Sequence, residues 1–228
     1  MKIVSSSGSG AVGAQIVVIA KEPVAGRVKT RLTPPFTPAE AAGLAAAALE
    51  DTLRAALGTG VRHTVLALEG LPGSWLPPGC VVIPQRGAGL DERIAWAMAD
   101  AHRLHPLPTV LVGMDTPQVT PALLRGAAGA LARHDAVYGP AADGGFWLLG
   151  LRRPAPSALI GAPMSRPDTG QAVLARLRAA GLDVAMLPEL TDVDTAADAA
   201  TVAAEAPHSR FAASLAAVGG LAGAVAPR

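Results

Sequence analysis

Apolar runs of strand length alternate along this chain with alanine- and leucine-rich stretches of helical length, and that alternation limits the fold most. Residues 15–20 (QIVVIA), 64–68, 81–84, 109–113, 136–139, 146–151 and 184–187 read as strands. Helices are expected over about 38–57, 91–102, from Pro121, over 169–180 and from about Ala196. Runs such as Val17-Val18-Ile19 and Val110-Leu111-Val112 are apolar on both sides, as strands of a parallel sheet covered on both faces must be. The order predicts an α/β fold with a mainly parallel sheet and helices on both faces. Ligands of such sheets sit beyond the carboxyl ends of the strands, so the loops there carry the argument about function.

The first of those loops is the most informative. Lys21-Glu22-Pro23-Val24-Ala25-Gly26-Arg27-Val28-Lys29-Thr30-Arg31-Leu32 follows the first strand directly. It ends before Thr37-Pro38-Ala39-Glu40, a capping box with proline at the first helical position. Four cations, a glycine and a hydroxyl at the end of a buried strand suit a polyanion such as the phosphate chain of a nucleotide; the competing reading is a solvated basic turn. Net charge is +1, so no global field recruits nucleic acid or a membrane, and basic function must be local. Aromatic residues make up 3% of the chain, which argues against a stacking platform for single strands.

Half of the 228 residues are hydrophobic, enough for one large core. We expect one domain over residues 15–206, a flexible leader over 1–14, and a weakly packed helix or disordered tail over 207–228. One cysteine, Cys80, excludes an internal disulfide and argues against a zinc cluster. No signal peptide and no run of ~18 apolar residues is present, so a cytoplasmic protein is expected.

Three acidic sites follow later strands. Asp115, in Met114-Asp115-Thr116-Pro117, emerges from a buried strand and costs free energy unless a cation meets it. A divalent ion bridging to phosphate oxygens is one solution, and a turn or helix cap is the other. Asp143-Gly144-Gly145 allows close backbone approach to a ligand, yet Asp-Gly between strand-like runs is equally a hairpin signal. In Thr191-Asp192-Val193-Asp194-Thr195 the alternating carboxylates share a side if extended, while Thr195 with Asp198 reads as a helix cap. A fourth loop, from Gln85 through Gly87 and Gly89 to Arg93, could cradle a base or sugar; its Asp91 and Glu92 simply suit a helix start. Gly8-Ser9-Gly10-Ala11-Val12-Gly13 matches the dinucleotide pattern by letter but precedes its strand, and no Gly-x-Ser-x-Gly elbow occurs.

Taken together, Lys21-x-Pro23-x-x-Gly26-x-Val28-Lys29-Thr30-Arg31-Leu32, Gly113-x-Asp115-x-Pro117, Gly139-Pro140-x-x-Asp143-Gly144-Gly145 and Asp192-Val193-Asp194-Thr195 resemble a bacterial family, the domain of unknown function 2064. Gln85-x-Gly87 with Leu90-x-Glu92-Arg93, and Met164-Ser165 with Thr169, are similar to its pattern as well. Members are often labelled GT-A-type glycosyltransferases, and the family resembles the wider nucleotide-diphospho-sugar transferase superfamily. The resemblance spans about residues 15–200. It implies a Rossmann-like GT-A fold, a nucleotide or sugar nucleotide at the first strand–helix loop, and Mg²⁺ or Mn²⁺ on Asp115 with Asp194 or Asp192. On that reading Lys29 and Asp115, with Asp143 as base or metal ligand, carry the chemistry. Lys21, Gly26, Lys29, Thr30, Arg31, Gln85 and Arg93 would bind the nucleotide, and Gly144 and Gly145 would border a small-molecule acceptor. Glycosyl transfer from a nucleoside-diphosphate sugar, nucleotidyl transfer with release of pyrophosphate, and a non-catalytic nucleotide-binding module are the readings this leaves open.

Overall fold

The computed structural model describes residues 12–224. Of the expected leader, residues 1–11 lie outside that range, and 12–14 already belong to the first strand. The strands are β1 (Val12–Lys21), β2 (Val61–Glu69), β3 (Cys80–Pro84), β4 (Thr109–Gly113), β5 (Ala136–Pro140), β6 (Phe146–Leu151) and β7 (Val184–Met186). They form one seven-stranded sheet in the order β3-β2-β1-β4-β6-β5-β7. All pairings are parallel except those of β6, which runs antiparallel to both β4 and β5. The reason is the connection: residues 141–145 are too few for a crossover, so β5 and β6 close as a hairpin.

The helices are α1 (Pro38–Leu57), α2 (Leu90–Leu104), α3 (Pro121–Ala130), α4 (Pro156–Leu159), α5 (Thr169–Ala179), α6 (Ala196–Glu205) and α7 (Arg210–Ala224). Their starts follow from local chemistry. Thr37 with Glu40 and Thr195 with Asp198 form reciprocal capping boxes, and Thr120 caps α3 ahead of Pro121. The two-sided apolar strands are covered as their sequence demands. Ile16, Val18, Val110 and Val112 pack with Leu49 and Leu53 of α1 and Leu124 of α3. Val17, Val65 and Leu111 pack on the other face with Ile94 and Met98 of α2 and Val173 and Leu177 of α5.

A third apolar cluster lies on the outer side of α1. It joins Leu32, Leu44, Ala48, Val193, Val202 and Phe211. The segment from 207, expected as a weakly packed helix or a disordered tail, forms α7 over Arg210–Ala224, and Phe211 in its first turn is 1% exposed. One large side chain and a cap decide the docking of that turn. Asp51 of α1 is that cap. Its carboxylate accepts the backbone N–H groups of Arg210 (3.1 Å) and Phe211 (2.9 Å), the first donors of α7. Arg210 also reaches Glu50 at 2.9 Å. No helix among the described residues is long and apolar enough to cross a membrane.

Replacing Asp51 by Ala is expected to cost about 1–2 kcal/mol of stability, the usual penalty for a lost helix cap. Phe211→Ala should cost more, about 3–5 kcal/mol, because it leaves a cavity against Leu44 and Val202. Urea unfolding of both variants measures this; an unchanged midpoint for Phe211→Ala would show that α7 is not docked.

Candidate active site

Beyond the carboxyl ends of β1, β3 and β4 lies a cavity of about 640 Å³. Lys29 stands at its floor. The loop after β1 turns at Gly26 (φ 76°), and Lys29 itself adopts left-handed backbone (φ 48°) before a short 3₁₀ turn, Thr30–Leu32. Leu32, fully buried, pulls that turn onto the third cluster. The Lys29 ammonium is thereby aimed inward, with its side chain 9% exposed. It lies 2.8 Å from Asp115 Oδ1 and 3.3 Å from Asp194 Oδ1. Arg31 Nη1 meets Asp194 Oδ2 at 3.0 Å, but its side chain remains 77% exposed. Burial works to lower the Lys29 pKa; the carboxylates of Asp115 and Asp194 outweigh it and hold the group above its ordinary value.

The acids are brought together by backbone. Val193 N–H donates to Asp115 O at 2.9 Å, so the segment after β7 lies against the end of β4. Val193 is 1% exposed, and the carboxylates on either side of it are left facing the cavity. Asp192 Oδ1 is buried without a hydrogen-bond partner. Its own burial, and then the charges of Asp143 and Asp115, push its pKa up to about 7 against the pull of Lys29.

Asp143 sits in the β5–β6 hairpin turn, where its Oδ1 accepts the Gly145 N–H at 2.8 Å. Gly144 has φ 88°, and a Cβ there would fall 1.9 Å from Pro167 O. Glycine is therefore required by close approach of the chain, and the Gly170 N–H donates to Gly144 O at 2.8 Å. These contacts dock the segment before α5, and Met164, Ser165, Arg166 and Thr169 become part of the cavity wall.

Lys21, Lys29, Thr30, Arg31, Gln85, Arg93, Asp115, Asp143, Gly145, Asp192 and Asp194 all line this one cavity. Gly26 and Gly144 do not; they shape the turns that carry their neighbours, and Gly26 borders a smaller depression beside Thr33. Arg93 Nη1 pairs with Glu69, which Lys21 approaches at 3.6 Å. Asp91 accepts the Gly161 N–H and Glu92 the Ala88 N–H, so both are structural. Arg27 and Arg166 also face the cavity. Arg27 could have been singled out from its place in the basic loop, whereas Arg166 follows no spacing that marks it.

Hard carboxylate oxygens and an orphaned one on Asp192 suit Mg²⁺ or Mn²⁺. Among the described residues, no trio of His, Cys, Asp or Glu is pre-arranged around a metal position. Lys29 already supplies one positive charge there, so a divalent ion would share Asp115 and Asp194 with it.

In metal-free buffer the Asp192 carboxyl sets a pH dependence. Unfolded, it loses its proton near the ordinary aspartate value of 3.8; folded, near about 7. Between those values the folded chain binds more protons, so stability falls as pH rises through that window. Asp192→Asn should remove the slope and raise stability above neutral pH by on the order of 1–3 kcal/mol. Urea midpoints with EDTA across the window test this; parallel curves for the two proteins would contradict it.

The model of a family described as "Uncharacterized protein conserved in bacteria (DUF2064)" matches residues 44–166, just over half of the chain. Asp115 and Asp143 fall inside that span; Lys29, Asp192 and Asp194 fall outside. A crystal structure from Desulfovibrio desulfuricans G20, bearing the provisional name nucleotide-diphospho-sugar transferase, is 30% identical. It superposes with a TM-score of 0.74 over 80% of this chain and 83% of that one. Rv0371c from Mycobacterium tuberculosis H37Rv is 23% identical with a TM-score of 0.54, over 84% of this chain and 98% of that one. CMP:2-keto-3-deoxy-manno-octonic acid synthetase complexed with CTP is 16% identical with a TM-score of 0.50, over 84% and 97%. The last two show the shared fold alone. No curated protein matches the chain.

Proposed function

The chain belongs to the bacterial family DUF2064, and on that premise we propose that it is a metal-dependent transferase acting on a nucleotide-activated donor. Glycosyl transfer from a nucleoside-diphosphate sugar to a small acceptor is the preferred reaction. The observation that carries it is the convergence of Lys29 with Asp115 and Asp194 at the floor of one cavity, below the exposed Arg31 and Lys21. The similarity to the Desulfovibrio protein supports the same class of donor.

Lys29, Arg27, Arg31 and Lys21 would neutralise the diphosphate oxygens. Asp115, with Asp194 or Asp192, would hold Mg²⁺ or Mn²⁺, which when bound offsets charge on the leaving diphosphate. Asp143 faces the same space with Oδ2 uncommitted to its turn. As the acceptor oxygen bonds to the anomeric carbon, the bond from that carbon to the phosphate oxygen breaks and its electron pair leaves with the diphosphate. Asp143 takes the acceptor proton. The wall from Met164 to Thr169 excludes water and orients the acceptor.

Nucleotidyl transfer from a nucleoside triphosphate is the second reading. The number of cations facing the cavity favours it, because three phosphates need more neutralisation than two. Incubation with sugar nucleotides or with triphosphates, each with Mg²⁺ or Mn²⁺ and candidate acceptors, separates the two. Nucleoside diphosphate release supports the first and pyrophosphate release the second. Asp115→Asn and Lys29→Ala should each lower turnover by on the order of 10²–10³. Turnover unaffected by either variant would remove this cavity as the active site.

A further inference from the structure

Among the described residues, left-handed backbone at a non-glycine position occurs twice, at Lys29 and at Ser165 (φ 57°), and both residues line this cavity. Ser165 is followed by Arg166, whose backbone N–H donates to Thr169 Oγ1 at 3.0 Å. The Arg166 guanidinium is held as well: Nε and Nη2 donate to the two carboxylate oxygens of Asp168, each at 2.9 Å. A guanidinium has five N–H donors, and that clamp uses two of them. The end formed by Nη1 and Nη2 keeps the rest, and none of these meets an acceptor among the described residues. It is a second fork, of the kind that grips a carboxylate or a phosphate through two parallel bonds. Arg166 stands in the cavity wall with its side chain 61% exposed, so the fork is open to a ligand.

The place of this fork decides which ligand it serves. Pro167, the next residue, lies against Gly144, and the Gly170 N–H donates to Gly144 O at 2.8 Å. Arg166 is therefore tied to the turn that carries Asp143, and not to the basic loop assigned above to the donor phosphates. Four aspartates face the same cavity, so an acceptor that enters as an anion needs a cation of its own. Phe146 and Met164, also in the cavity wall, give such a molecule apolar surface for its body. We infer that Arg166 selects the acceptor and that the acceptor is a small hydroxylated anion. Its carboxylate or phosphate group is held by the free fork while its hydroxyl is presented to Asp143. The inference rests on the glycosyl-transfer reading above and adds the chemical class of the acceptor.

Release of nucleoside diphosphate from sugar nucleotides with Mg²⁺ or Mn²⁺ tests it, using acceptors matched in their hydroxyls. Glycerol is compared with glycerate and glycerol 3-phosphate, and ribose with ribose 5-phosphate. In the native protein kcat/KM for an anionic member should exceed that for its neutral counterpart about 10-fold or more. The arm that gains identifies the group as carboxylate or phosphate. Arg166→Gln should bring the ratio close to one, and Arg166→Glu should invert it. Both acceptors are compared within one protein sample, so any loss of folded material cancels from the ratio. Were Arg166 to serve the donor phosphates instead, both members would slow together and the ratio would stay native. A native ratio near one, or a native-like ratio in either variant, overturns the inference and leaves the glycosyl-transfer reading standing. Diphosphate release in none of the mixtures, water alone included, removes that reading and this inference with it.

Discussion

The Lys29 ammonium is the interaction on which the ligand edge of this sheet depends. Four carboxylates, of Asp115, Asp143, Asp192 and Asp194, face one cavity, and the other three raise the cost of ionising Asp192. A cation must stand among them. Lys29 does so from a loop far away in sequence, with two carboxylates within 3.3 Å. Holding it there requires left-handed backbone at a non-glycine residue, a conformation that costs on the order of 1–2 kcal/mol. The charge neutralisation offsets that cost.

The placement is secured by apolar packing rather than by charge. Leu32 carries the cationic loop, Val193 carries the acidic segment, and both enter the cluster completed by Leu44 and Phe211. The charged groups are therefore positioned by neighbours that are themselves buried and directional in the way side chains in a packed core are. This also explains why α7 matters to a cavity that it does not line: it closes the outer side of the cluster on which both charged segments rest.

Much of this was readable in the chain. Alternating two-sided apolar runs announced a covered parallel sheet, and the need of Asp115 for a cationic partner followed from its emergence out of a buried strand. What could not be read was which cation answers that need, because contact between residues 29 and 115 is a property of topology, not of local pattern. The Asp-Gly-Gly turn carried two meanings at once: it closes a hairpin, while the close approach that its glycine allows is to Pro167 of the same chain, and Asp143 lines the cavity. The role of Val193 was hidden for a simpler reason, since one valine between two aspartates shows no period. Gln85 was legible as an amide near the ligand edge, but not the direction of that amide, which two carbonyls on other strands decide.

The reversed course of β6 has its own consequence. Leu151 ends beside Ala136 and Thr109, at the rim away from the cavity. The chain must then climb back past α4 before it can deliver Met164–Thr169 to the other rim. That climb is bound by no strand pairing and is held instead by the packing of Leu159 and Ala162 on the sheet and by Arg176, which donates to the carbonyls of Ala158 and Ile160. One half of the cleft is thus tied to the ladder, and the other to a detour anchored through side chains.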